Sequence, residues 1–422
     1  MPMTNMKIVI QGGHSLRGNI SISGAKNAAL PALAAACLTA DTVRLHNVPA
    51  VEDIKVMTAA LRELGAAAEF ENNHLQTSLA RMQSPTISNE AIRTTRASIL
   101  LLGPLLTRWG QVKISLPGGC AIGERKINFH LEGLTRMGAR LDTEGEHIVA
   151  RCARSSGLHG VEYRFPQKTV TGTENMLMAA ALARGTTVLD NCALEPEIGD
   201  LIDLLTAMGG RISGRGGERL EIEGRESLHG AAHTIIPDRI EAGTYILAGC
   251  FPGNAVTIEN AAAEHVSSLL QTIEAVGIRP VIAGKRITIH GQDSFTACAV
   301  VTQPYPGFPT DLQAQLMTLL TQANGQSQIR ETIFNDRFKH AQELNKLGAA
   351  ITLNGDTAAI SGPTPLRGAA LQATDLRASA ALVLGGLIAQ GETTIDNAYQ
   401  LLRGYEAMAD KLQKIGAHIK IV

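Results

Sequence analysis

Glu174-Asn175-Met176-Leu177-Met178-Ala179-Ala180-Ala181-Leu182-Ala183 is followed by Gly185-Thr186-Thr187-Val188-Leu189, and the chain then runs on to Met208-Gly209 and Arg211-Ile212-Ser213. The first run is rich in Ala and Leu and reads as a buried helix. The second is a polar turn entering a β-branched run, which is the signal for a strand. An apolar residue followed by Gly closes a second helix, because Gly accepts the left-handed conformation that ends one. Arg211-Ile212-Ser213, with its alternation, reads as a further strand.

This cassette recurs. The apolar-Gly pair appears at Leu64-Gly65, Met137-Gly138, Met208-Gly209, Val276-Gly277, Leu347-Gly348 and Ile415-Gly416, with glycine spacings of 73, 71, 68, 71 and 68. The turn-and-strand signal keeps step with it at Asp41-Leu45, Gly110-Ile114, Gly185-Leu189, Gly253-Ile258, Gly325-Ile329 and Gly391-Ile395. A period of about 70 residues exceeds solenoid units, so each copy is a small β/α assembly. The predicted fold is α/β: six β/α repeats in two domains of three. The first domain is placed at 22–235. The second is placed at 1–21 plus 236–422, with the strand Ile8-Val9-Ile10 completing one of its copies and the boundary near Ile235-Ile236-Pro237-Asp238.

Composition agrees with a folded chain. Of 422 residues, 45% are hydrophobic, 18% charged and only 3% aromatic, with 42 glycines, so the core is built from small aliphatic side chains. A net charge of -1 argues against nucleic acid as a partner. Cys37, Cys120, Cys152, Cys192, Cys250 and Cys298 form no CxxC metal pair; the chain is expected to work without a metal or a cofactor. Met1-Pro2-Met3-Thr4-Asn5-Met6 carries no signal pattern, and runs such as Ala380–Ala389 are too short to span a membrane. A cytoplasmic protein of a reducing compartment is expected, with a monomer as the expected assembly.

Ser115-Leu116-Pro117-Gly118-Gly119-Cys120-Ala121-Ile122-Gly123-Glu124-Arg125 places a thiol at the tip of a glycine-rich turn, with a cation five positions on. Such a tip suits an exposed, reactive cysteine. Other charges gather at two points of the repeat. After the marker strand come Asp53, Glu195, Glu197, Arg337 and Arg403; at the start of the apolar helix come Lys26, Asn27, Arg96, Glu174, Arg239, Glu241, Asp311, Asp375 and Arg377. Lys26 and Arg377 open buried-looking helices, where the helix dipole disfavours a cation. A bound anion would relieve that cost and accept amide hydrogens. Two threefold domains facing one another would bring these loops into one cleft, the expected active site.

These stretches resemble the UDP-N-acetylglucosamine 1-carboxyvinyltransferases, enolpyruvyl transferases of peptidoglycan precursor synthesis. The resemblance rests on Ile22–Pro31, Arg96–Ile99, Ser115–Gly123, Thr171–Asn175, Glu195–Ile198, Pro237–Thr244, Phe308–Gln315, Ala373–Ser379 and Arg403–Glu406, and it spans essentially the whole chain. It implies the two-domain inverse α/β barrel and transfer of enolpyruvyl from phosphoenolpyruvate to a sugar hydroxyl, with UDP-N-acetylglucosamine as acceptor. It assigns Cys120 as the acid, able to form a covalent adduct, and Asp311 as the base. Lys26, Arg125 and Arg403 would hold phosphate, Arg337 and Arg377 the carboxylate, and Asn27 and Arg96 the sugar nucleotide. Lys126, Ile127, Asn128, Phe129, Thr169, Val170, Thr171, Gly172, Ile333 and Asp375 complete the substrate-binding set. The related family making enolpyruvylshikimate phosphate shares the fold but lacks the Pro-Gly-Gly-Cys loop.

Some positions depart from the pattern. Lys126-Ile127-Asn128 stands where the family has Pro-Val-Asp or Pro-Ile-Asp against the uracil ring. Asn335-Asp336 replaces Glu-Asn, and Gln400 and Leu402 replace His and Asp. Besides the ordinary acceptor, these changes leave open another uridine nucleotide as acceptor, or a nucleotide-binding regulatory paralogue.

Overall fold

A computed structural model describes residues 6–83, 86–87, 96–115, 127–153 and 157–422. The described chain divides into two compact units, one of residues up to Ser23 with Pro237–Val422, the other running from Gly24 to Ile236.

Each unit holds three four-stranded sheets of one design. The six expected strands, observed as Val43–His46, Gln111–Ser115, Thr186–Asp190, Ala255–Glu259, Gly325–Arg330 and Glu392–Asp396, each lie second in their sheet. Each pairs in parallel with a short edge strand on one side and antiparallel with a third strand on the other, and a fourth completes the sheet antiparallel. In the sheet of Glu392–Asp396 the third strand is Lys7–Gln11, in register Ile8 to Ile395. The first and fourth repeats exchange edges. Arg17–Ser21 precedes the helix Lys26–Ala35 but pairs with Ala255–Glu259, whereas Ala232–Thr234 precedes the helix Arg239–Gly249 but pairs with Val43–His46.

The repeat glycines Gly65, Gly138, Gly209, Gly277, Gly348 and Gly416 all have φ between +95° and +105°. A side chain in this left-handed region would be strained, which is why the position reads clearly in sequence. Ahead of each lies an amphipathic helix. Asn128–Arg136, for example, buries Phe129, His130, Gly133 and Leu134 along one stripe.

The other helix of each repeat has no polar face. Val170–Ala180 is buried from Gly172 onward, Arg239–Gly249 from Ile240, and Leu376–Ile388 from Arg377 to Leu387. A helix apolar all round belongs inside. In the unit containing Pro237–Val422, Gln313–Leu320 packs against both Arg239–Gly249 and Leu376–Ile388, so helices fill the interior and sheets cover them. This is the inverse barrel that the resemblance implies. The polar residues that open these helices are thereby held at the ends of rigid, buried rods.

Candidate active site

In the unit with Pro237–Val422, three site residues meet. Asp311 lies in the turn Thr310–Leu312 that leads into Gln313–Leu320, Arg377 in the first turn of Leu376–Ile388, and Arg337 just before the helix Lys339–Lys346. Asp311 Oδ1 accepts from Arg337 Nη2 at 2.7 Å, and Oδ2 accepts from Arg377 Nε at 3.1 Å and Nη2 at 2.9 Å. The arginine side chains are 4% and 6% exposed, the aspartate 25%. Arg377 lies over the Tyr405 ring and Arg337 over Phe334, with ring distances of 5.6 and 5.1 Å. Burial alone would lower the Arg377 guanidinium, but the Asp311 carboxylate beside it leaves the net shift upward, so the charge persists. The remaining Nη1 of each arginine is buried and finds no hydrogen-bond partner among the described residues. A buried guanidinium nitrogen without an acceptor is costly, and an anion with two oxygens answers two of them at once.

The neighbouring site residues are held by the backbone. Asp375 caps Leu376–Ile388, its Oδ1 accepting from the amides of Arg377 and Ala378 at 3.0 Å, while Thr374 Oγ1 donates to Oδ2 at 3.1 Å. Ile333 is half-buried and its amide donates to Glu331 Oε1 at 2.8 Å. Arg403 follows the short helix Tyr399–Leu402, and its Nη1 donates to Gln400 Oε1 at 3.3 Å. His340 lies behind Arg337; burial and the Arg337 charge lower its pKa to about 4 against the pull of Asp375, so the imidazole is neutral.

In the other unit, Lys26 is the first residue of Lys26–Ala35, and its Nζ donates to Asp53 Oδ2 at 3.0 Å. Asp53 lies in the first turn of Glu52–Glu63, where a carboxylate suits the helix dipole. The two side chains are only 10% and 6% exposed. Asn27 beside Lys26 is half-buried. Thr169 caps Val170–Ala180, accepting from Gly172 N at 3.2 Å. Val170 is half-buried, and Thr171 Oγ1 lies 3.2 Å from His130 Nε2. Asn175 Oδ1 accepts from Gly103 N, so Nδ2 is the atom facing His130 Nδ1 at 2.9 Å. That makes Nδ1 an acceptor, and His130 Nε2–H therefore donates to Thr171. Glu174 is buried nearby; burial, then the charges of Glu197 and Glu195, push its carboxyl well up.

Ile127 is half-buried, Asn128 is exposed as the first residue of Asn128–Arg136, and Phe129 is buried behind it. Arg96 opens the turn Arg96–Leu101; its side chain lies outside the described structure. Cys120, Arg125 and Lys126 lie outside the described residues. The five described cysteines are free, and burial pushes Cys37 and Cys192 up to about 12. Among the described residues no group of three or more His, Cys, Asp or Glu is placed to hold a metal ion. No described helix is long and apolar enough to cross a membrane.

Two cations that open core helices thus face carboxylates of the same unit, Lys26 with Asp53 and Arg377 with Asp311. Sequence reading singled out all four residues as unusual charges but not their pairing, which joins residues 27 and 66 positions apart. It singled out Glu241 but not its partner Lys411, 170 positions on, which alone reads as a helix-surface charge.

Six β/α repeats wrapped around internal helices, with arginines and an aspartate at the helix starts, define the class as an enolpyruvyl-transferase fold. The chain belongs to the family described as EPSP synthase (3-phosphoshikimate 1-carboxyvinyltransferase), which it matches over residues 10–412. Within that family it is 48% identical, over 98% of its length, to a protein of Koribacter versatilis named UDP-N-acetylglucosamine 1-carboxyvinyltransferase, covering 96% of it. An Anaeromyxobacter protein of the same name is also 48% identical, over 98% of this chain and 99% of its own. Among solved structures, the enolpyruvyl transferase NikO from Streptomyces tendae superposes with a TM-score of 0.90 at 26% identity over 99% of both chains. EPSP synthase from Acinetobacter baumannii gives 0.74 at 18% identity over 99% of this chain and 100% of its own, a likeness of fold alone.

Proposed function

We propose that this chain transfers the enolpyruvyl group of phosphoenolpyruvate to the 3-hydroxyl of UDP-N-acetylglucosamine and releases phosphate, the entry reaction of peptidoglycan synthesis. The observation that carries the proposal is near-half identity, over almost the full length, to proteins named for that reaction. The described geometry supports it. The reaction needs a base at the attacking hydroxyl, an acid at the methylene carbon, and cations around a substrate bearing both carboxylate and phosphate.

In this account the sugar hydroxyl oxygen bonds to C2 of phosphoenolpyruvate while its proton goes to Asp311. Cys120 protonates C3, converting methylene to methyl. In the second step C3 returns a proton to the Cys120 thiolate, the C2–O bond to phosphate breaks with the proton held on Asp311 passing to the departing phosphate, and the enol ether is left on the sugar. Atoms and charge balance without a redox partner, and the proposal includes no metal or cofactor. Arg337 and Arg377 hold the substrate carboxylate through the nitrogens left over from Asp311. Lys26, Arg125 and Arg403 take phosphate, and Asn27 and Arg96 the nucleotide sugar. Arginine suits such a site because its fork matches two oxygens and stays charged.

Both substrates are small molecules. A cytoplasmic location and a monomeric state complete the proposal. The exposed Asn128, with Lys126 beside it in sequence, favours a second reading in which another uridine nucleotide is the acceptor. The test presents phosphoenolpyruvate with UDP-N-acetylglucosamine, UDP-glucose or UMP, and follows the acceptor by mass. Addition of enolpyruvyl to UDP-N-acetylglucosamine supports the proposal. Modification of another nucleotide in its place supports the second reading. Tight nucleotide binding with no product on any acceptor indicates a regulatory paralogue.

A further inference from the structure

Beneath the Asp311 cluster lies a chain of buried polar groups that the reaction scheme does not use. Tyr405, Thr244 and Gln315 are at most 1% exposed. Thr244 Oγ1 lies 2.8 Å from Ile240 O, an acceptor only, so the threonine proton goes there. In the 2.9 Å contact between Thr244 Oγ1 and Tyr405 Oη, the tyrosine must therefore be the donor. Burial pushes the phenol up, which keeps that proton in place. Tyr405 Oη in turn accepts from Gln315 Nε2 at 3.1 Å, and the same Nε2 lies 3.1 Å from the main-chain oxygen of Asp311. The ring so pinned is the one beneath the Arg377 guanidinium.

We infer that Tyr405 is a positioning residue for the reaction: its hydroxyl locks the ring under Arg377 and, through Gln315, ties it to the backbone of Asp311. One phenol thus fixes a carboxylate-binding cation and the base relative to each other. Helix Arg239–Gly249 provides the anchor through Thr244, and helix Gln313–Leu320 provides the link through Gln315. This inference rests on the enolpyruvyl-transfer reading above.

The test uses Tyr405→Phe, which keeps the ring and its contact with Arg377, and Thr244→Val, which removes the acceptor of the tyrosine proton. Each leaves buried partners unpaired and lets the ring tilt. A roughly tenfold rise in KM for phosphoenolpyruvate is expected in both, with KM for UDP-N-acetylglucosamine within about twofold of wild type. Thermal melts accompany the kinetics. A purely structural role would lower the melting temperature and the active fraction without separating the two KM values. Should either variant fold and show phosphoenolpyruvate KM unchanged, or both KM values shifted alike, the inference is overturned while the functional reading stands. An absence of turnover in the wild type, measured alongside, overturns both.

Discussion

Asp311→Asn removes one charge from a cluster of three and keeps its shape. In the native protein a single carboxylate answers two guanidinium groups that are 4% and 6% exposed, through three hydrogen bonds of 2.7 to 3.1 Å. Stripping the partner from a buried pair costs about 3–5 kcal/mol. Asp311 is 25% exposed, so water screens part of the interaction, and the lower end, about 3 kcal/mol, is expected. For a unit of this size that lowers the melting temperature by about 6–12 °C. A second consequence has the opposite sign. With the carboxylate gone, an incoming anion meets two uncompensated arginines, so phosphoenolpyruvate should raise the melting temperature of the variant more than that of the wild type. Turnover should nonetheless fall by about 10²–10⁴, the usual contribution of a general base. Differential scanning fluorimetry with and without phosphoenolpyruvate, at saturating UDP-N-acetylglucosamine, measures the first two effects, and phosphate release measures the third. A variant that melts with the wild type, gains no extra stabilisation from the anion and turns over normally would refute the reasoning.

Three other perturbations test separate parts of the account. Lys26→Met removes the cation facing the buried Asp53 at 3.0 Å; it should lower the melting temperature and cut turnover by at least about 100-fold, whereas Lys26→Arg should retain the stability. Glu241 is raised to about 7 by burial, which outweighs Lys411 at 2.5 Å, its like-charged neighbour Asp238 adding to the rise. Its folded pKa exceeds the unfolded value, so the stability it contributes is full below about 4.5 and is lost as pH rises through about 7. Thermal melts of wild type and Glu241→Gln from pH 5 to 8 should therefore show the wild type losing ground to the variant with rising pH, and parallel curves would count against the shift. At residue 120, Cys120→Ser should lose most activity, because a hydroxyl is a poor acid at neutral pH, while Cys120→Asp should keep some if its carboxyl is raised. Peptide mass analysis after fosfomycin treatment with the nucleotide bound should find the adduct on Cys120, and its absence there would remove the case for a reactive thiol.

What was legible in the sequence follows from where local chemistry alone decides the outcome. The six repeat glycines were readable because a left-handed helix end nearly demands Gly, and the marker strands because β-branched runs after turns have few other uses. A second left-handed position escaped notice. Asn47, Asn191, Asn260 and Asn397 follow four marker strands with φ near +60°, and each Nδ2 donates to the carbonyl just past the parallel edge strand: Ile235, Phe165, Ile22 and Ala373. Asn tolerates that conformation at some cost, so the signal is weaker than Gly, and its partner lies on a strand distant in sequence. In the copy ending at Arg330, Glu331 occupies the position and bonds the amides of Ile333 and Phe334 instead. The site divides the same way. Helix-opening charges could be picked out one by one from Ala25-Lys26-Asn27 or Asp375-Leu376-Arg377. That Asp311 would face Arg337 and Arg377 together depends on three separate helix starts converging, which no local pattern encodes.

The central claim is that the aspartate and its arginines serve enolpyruvyl transfer to a sugar nucleotide, and stoichiometry tests it most directly. Purified protein is given phosphoenolpyruvate and UDP-N-acetylglucosamine, and phosphate and enolpyruvyl product are counted in the same tube. The account predicts one phosphate per molecule of product, with neither formed when either substrate is withheld. Phosphate released without the sugar nucleotide, or none with both substrates present, would contradict it.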